Sequence, residues 1–256
     1  MSRAAVVAAS AVALAAVARP AGAQVAGEDS TARWRGTAAV GASALFGAAQ
    51  QRVVNGSVAA GRGDSARAAR VELQGGYGDA VNADVRAVIV RNLRLVAGYD
   101  ARPFARVSPF VFALAETSLQ QRLAARTSGG AGAKYTFWRA GADQDVSLSL
   151  ALLAEETRAL GAATAGEGTR VRWSVRGRTR RRLGERWRLA HVTFWQPTVG
   201  RVRRYTVETT TTVATPLRAG LDLTGSLRDR FDSEARRRGA RSNHDGQALF
   251  GLSLRF

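Results

Sequence analysis

Two histidines, His191 and His244, are the only side chains placed to serve as a neutral-pH general base, and the chain contains no cysteine. Covalent hydrolysis needs a nucleophile, a base and a group that holds the base. Thr193 follows His191 by two residues, so in a strand the hydroxyl and the imidazole share one face, as a lipid-cleaving hydrolase would require. No asparagine-containing or serine-rich motif lies nearby to complete such a site, and a histidine packed within a strand has the same spacing. His244 stands beside Asp245 in a long polar stretch and reads as a solvated loop residue. Glu155 and Glu156 are adjacent and point to opposite faces of a strand, which rules out an acid–base pair. No phosphate-cradling glycine loop precedes a helix, and no metal-ligand spacing occurs. The expectation is therefore no enzyme, no catalytic residue, no metal and no cofactor.

Arginine dominates the charged residues. The formal net charge is +18, and Lys134 is the only lysine. Together with the abundance of Ala and Gly, this reads either as the codon usage of a GC-rich genome or as a preference for anions. The clearest run places Arg170, Arg172, Ser174, Arg176, Arg178 and Arg180 on one face of a strand, against Val171, Trp173, Val175 and Gly177 on the other. An arginine facing lipid at mid-membrane costs about 2–4 kcal/mol, so in a membrane this ladder must face a wet interior.

The start of the chain suggests export. Arg3 precedes an apolar run from Ala4 to Val17, and Ala21-Gly22-Ala23 forms a small-residue cleavage site. Residues 1–23 thus read as a signal peptide and 24–33 as a short lead. No later stretch gives the roughly 20 apolar residues of a membrane helix, and an exported chain has little access to nucleic acid.

The rest alternates with a period of two. Ala69, Val71, Leu73, Gly75 and Tyr77 alternate with Arg70, Glu72, Gln74, Gly76 and Gly78, and Leu217 to Arg228 repeats the pattern. Strand segments fall near 34–46, 51–62, 67–78, 84–98, 103–117, 122–138, 144–156, 169–182, 186–197, 201–214, 217–231 and 246–256. The slip in apolar phase between Val90 and Leu93 requires a bulge near Arg91, and the 186–197 segment carries aromatics on both faces. About twelve strands place both termini on one side. With the first strand rising from the periplasm, the two longest connections, 158–169 and 232–244, fall outside, the asymmetry of an outer-membrane barrel. The predicted fold over 34–256 is all-β: an antiparallel, transmembrane, up-and-down β-barrel. The segments run to about twice the 5–6 residues usual in a soluble periplasmic β-sandwich, the competing architecture.

The C-terminal strand sets Phe250, Leu252, Leu254 and Phe256 on one face and ends on the aromatic. This pattern resembles the signal read by the outer-membrane barrel assembly machinery. Arg126, followed by Gly130-Ala131-Gly132-Ala133-Lys134-Tyr135, resembles the arginine and Gly-Ala-Gly-x-x-Tyr strand of the salt-induced outer-membrane proteins, the YdiY-like family whose domain is of unknown function. Phe104 to Phe112, Leu148 to Glu156, and Phe231-Asp232-Ser233 leading to Asp245 follow the same layout, so the likeness runs from Trp34 to Phe256. It implies an outer-membrane barrel tied to salt or acid stress, and supplies no catalytic residue.

Strand phase points Arg70, Glu72, Glu155, Arg172, Arg176, Arg178, Arg204, Glu208, Arg218 and Asp222 into the lumen. Two readings stand: a cationic pore passing small anions, or a lumen filled by arginine–carboxylate pairs. The outer loop Asp229 to Arg241 carries Arg230, Arg236, Arg237, Arg238 and Arg241, which either bind lipopolysaccharide phosphates or form a solvated charge run. Expected partners are outer-membrane lipid, lipopolysaccharide, the assembly machinery and small anions.

Overall fold

The computed structural model describes residues 34–45, 49–82, 85–141, 143–161 and 168–255. The expected signal peptide, the 24–33 lead and Phe256 lie outside them. Twelve strands follow in chain order: β1 (Arg35–Leu45), β2 (Ala49–Gly63), β3 (Arg67–Asn82), β4 (Val85–Ala101), β5 (Val107–Ser118), β6 (Leu123–Ala140), β7 (Gln144–Ala159), β8 (Gly168–Leu183), β9 (Trp187–Thr198), β10 (Arg201–Arg218), β11 (Leu221–Asp232) and β12 (His244–Arg255). Each pairs antiparallel with its chain neighbours, and β12 returns to β1, closing the barrel.

The alternation in sequence becomes an inside and an outside. Among the described residues thirty polar or charged side chains are buried and only seven hydrophobic ones, the reverse of a soluble protein. On β7, Asp145, Ser147, Ser149 and Glu155 are buried while Leu148, Leu150 and Leu152 are exposed outward. A two-sheet sandwich is thereby excluded: the apolar faces form no core, because they point away from the ring. Strands of 11 to 18 residues suit a tilted crossing of a hydrocarbon layer. The outward aromatics group at both ends of the wall, Tyr77, Trp173 and Trp195 toward one, Trp34, Tyr99, Trp138 and Trp187 toward the other, as membrane barrels arrange them.

The end that bears the termini has short turns. Between β2 and β3, Asp64 accepts the backbone N–H groups of Ala66 and Arg67 at 2.8 and 2.9 Å, closing the turn through its side chain. The other end, the loop end, carries the two longest connections, between β7 and β8 and between β11 and β12. The expected bulge lies at Ile89, two residues before Arg91: Gly78 pairs with Val90 and Asp79 with Val88, leaving Ile89 unmatched. In β6, a Cβ on Gly132 would lie 2.2 Å from the Leu150 carbonyl oxygen, and one on Gly130 2.5 Å from that of Leu152. These glycines let β6 and β7 approach closely.

Candidate functional site

Alternation along β3 to β11 directs one row per strand into the lumen, and most of these rows carry charge, so burial forces each guanidinium to find acceptors. Arg126 of β6 is the hub of the loop-end half. It reaches Glu116 of β5 at 3.0 Å, Asp232 of β11 at 3.1 Å and Glu155 of β7 at 3.7 Å. Arg230 grips Glu116 in a two-pronged pair at 2.9 and 3.2 Å, and Arg172 meets Glu155 at 2.9 Å. Arg94 and Arg228 share one oxygen of Glu208, at 2.8 and 3.1 Å.

Three of these contacts cross the barrel: Arg126–Asp232 spans five of the twelve ring positions, from β6 to β11, and two others span six. In the ring order β4 stands opposite β10, and β5 opposite β11. Arg94–Glu208 and Arg230–Glu116 are therefore struts between facing walls, and two spaces adjoin them, one of about 170 Å³ and one of about 880 Å³ that Arg94, Glu116 and Arg230 also line. Nearer the terminal end, Asp145 holds Arg178 at 2.7 Å and also Arg180, Arg188 meets Asp222 at 2.6 Å, and Arg70 pairs with Glu72. Arg176 differs: it lies over Phe110 and Phe194, 5.5 and 5.9 Å from the ring centres, and donates to Ser149 Oγ at 3.1 Å. Lys134 and Arg139 donate to the Pro103 carbonyl from the same half.

The loop end is capped. After β11 the chain makes a single 3-10 turn, Arg236–Arg238, that folds inward. Arg238 is buried, with Asp232 at 2.7 Å and the Gln121 carbonyl of the β5–β6 turn at 3.3 Å. Burial pushes its guanidinium below the ordinary arginine range, with Asp232 pulling the other way. Glu234, also buried, takes Arg170 from β8 and Arg204 at 3.6 Å from β10.

Most sequence-predicted lumen residues meet here: Arg70, Glu72, Glu155, Arg172, Arg176, Arg178, Arg204, Glu208 and Asp222. Arg218 does not. The register slips between Pro216 and Arg218 at the terminal end of β10, and Arg218 is exposed there. Arg230 and Arg238, expected in the outer loop, are both inside: Arg230 belongs to β11 and pairs with Glu116, and Arg238 is drawn into the cap by Asp232 and Gln121. Arg236, Arg237 and Arg241 remain exposed. Phe250, Leu252 and Leu254 face outward. The sequence reading missed Arg126, Glu116, Arg94, Arg228, Arg230, Asp145 and Asp232 as lumen residues. Extending the phase of the 122–138 segment back to Arg126 finds the hub. Glu116 is harder to find, since the inward residues just before it on β5 are Phe110, Phe112 and Leu114.

On β9 the outward row is Trp187, Leu189, His191, Thr193 and Trp195. His191 Nδ1 lies 2.9 Å from Thr211 Oγ1, and Nε2 3.1 Å from Thr193 Oγ1, the donor in each depending on the ring tautomer. Among the described residues no group of His, Asp or Glu is placed to hold a metal ion.

The family model described as a protein of unknown function, DUF481, matches residues 38–256. The chain belongs to the DUF481 family. Arg126 and the Gly130-Ala131-Gly132 segment, on which the likeness to the salt-induced outer-membrane proteins was drawn, lie within the matched span, and in this DUF481 barrel they supply the lumen hub and the close β6–β7 approach. Among solved structures, a bacterial polysaccharide outer membrane secretin is similar to the DUF481 barrel at 7% identity, over 87% of this chain and 96% of that one, with a TM-score of 0.39. No curated protein matches the sequence.

Proposed function

We propose that the protein is an exported outer-membrane barrel that works as a filled, ion-paired wall element of the envelope under salt stress, with no freely open pore. The observation that carries this reading is the pair of struts, Arg94–Glu208 and Arg230–Glu116, that join opposite walls. The inward cap at Arg238 adds a second barrier on the same axis. The signal-like N-terminus and the aromatic-ended final strand support the outer membrane as its location, and the likeness to salt-induced proteins supports the physiological setting. Exposed Arg236, Arg237 and Arg241 stand where lipopolysaccharide phosphates would meet them. Planar-bilayer recording under a salt gradient tests the reading. The filled barrel gives no porin-like steps, and any residual leak favours anions because arginines outnumber acids in the lumen. Large, cation-selective steps would end it.

A second reading, a lipid-modifying hydrolase, has His191 on its side, since the imidazole sits on the outer wall between two threonine hydroxyls. It requires that lipid in mixed micelles be hydrolysed and that H191A abolish the activity. A folded barrel releasing no fatty acid dismisses it.

A further inference from the structure

The ring closes on a short seam. Between β1 and β12, Thr37 to Val40 pair with Leu252 to Arg255. Toward the loop end, among the described residues, Gly41 to Leu45 pair only with β2 and His244 to Gly251 only with β11. Lipid cannot satisfy the N–H and C=O groups of such an edge, so backbone left unpaired at membrane depth must line a space that holds water or a polar ligand.

That space is present. A cavity of about 880 Å³ is lined by Gln247 and Leu249 from the inner face of β12 and by Ala248 and Phe250 from its outer face. A cavity touching both faces of one strand passes around the strand's free edge, so the lumen communicates sideways with the outer wall. Inside, Arg94, Arg228, Arg230 and Glu116 form part of the lining, and Glu116 pairs with Arg230. Arg94 and Arg228 lean on the single carboxylate of Glu208, which leaves this pair with one positive charge in excess. Asp245, the other acid on the β12 side, stands opposite Arg230 in the register. Outside, the lining turns apolar with Phe250 and Leu223.

We infer that the β1–β12 seam is a lateral binding site for a single-chain amphiphile with an anionic head, its head held by Arg94 and Arg228 inside the wall and its alkyl chain leaving past Phe250 into the bilayer. The combination of a guanidinium pair and an apolar exit along one cavity selects that ligand over a free anion, which lacks the chain, and over a hydrocarbon, which lacks the charge. The site rests on the reading of the protein as a membrane barrel.

The test uses the mature protein in phosphatidylcholine nanodiscs, with nitroxide-labelled stearate as probe and its methyl ester and inorganic phosphate as comparisons. Heat-shifted migration on gels first establishes that the barrel is folded in the membrane; its absence counts against the barrel reading itself. In folded barrels, the expected spectrum shows the acid immobilised in a saturable way, the ester bound at least about tenfold more weakly, and no competition by phosphate alone. Extending the seam register sets position 44 opposite 248, so in A44C/A248C, otherwise free of cysteine, oxidation within one barrel zips the edge and removes the immobilised signal. Q247W fills the cavity from β12 and gives the same loss without oxidation. Folded barrels that do not immobilise the acid, or that hold acid and ester alike, overturn the inference. Oxidation that joins two barrels overturns it as well, since the edge would then be a docking site for a second copy.

Discussion

Arg126 serves three carboxylates from a position that is 3% exposed, and all three are buried beside it. Removing one member of a buried ionic cluster leaves charges uncompensated and costs about 3–5 kcal/mol. R126A is accordingly expected to lower the urea midpoint of the refolded barrel in liposomes, and R126K to recover only part of the loss, because a single ammonium cannot reproduce the fork of a guanidinium. An R126A midpoint equal to wild type would mean that the hub is not what holds this half of the lumen. The residue was legible in the sequence as a motif, the arginine before Gly130-Ala131-Gly132, but not as a lumen residue. Its three partners come from β5, β7 and β11, and no local spacing announces such a meeting. Arg238 failed in the opposite direction: a run of arginines in a loop looks solvated until the fold shows a carboxylate and a carbonyl waiting inside.

At the level of strands, period-two alternation carried most of the information. It located the twelve strands to within a few residues and gave the correct face wherever one row was clearly apolar, as in β3, β7 and β8. It was silent in β9, where Trp187 and Trp195 turned out to share the outer row while Phe194 sits inside against Arg176. It misled at Arg218, since a register slip at Pro216 interrupts the phase. The same alternation gives a depth-resolved expectation for β7. Leu150 lies mid-strand on the outer face and Val146 near the terminal end. L150R should destabilise the barrel by about 2–4 kcal/mol and V146R by about 0–1 kcal/mol, as read from urea unfolding in liposomes. Equal effects at the two positions would argue that this face does not meet hydrocarbon.

For the molecule as a whole, stability and closure of the lumen are served by the same contacts. The double variant R94A/R230A cuts both struts, yet Glu208 keeps Arg228 and Glu116 keeps Arg126, so the barrel should fold. It is expected to show conductance steps where wild type is silent in the same bilayers, and silence in both would place the barrier at the cap instead. The seam lay beyond sequence reading because the pairing of first and last strands has no local signature. That pairing also orders the making of the molecule. Every other strand pair joins chain neighbours and can form as a growing meander, with far less loop entropy to overcome. Thr37 and Arg255 instead stand more than two hundred residues apart in the chain. Sealing the ring is thus a single long-range event added to many local ones, and until it happens β1 carries an open edge. With only a few rungs to hold it, the junction formed last is also the one from which unfolding should begin.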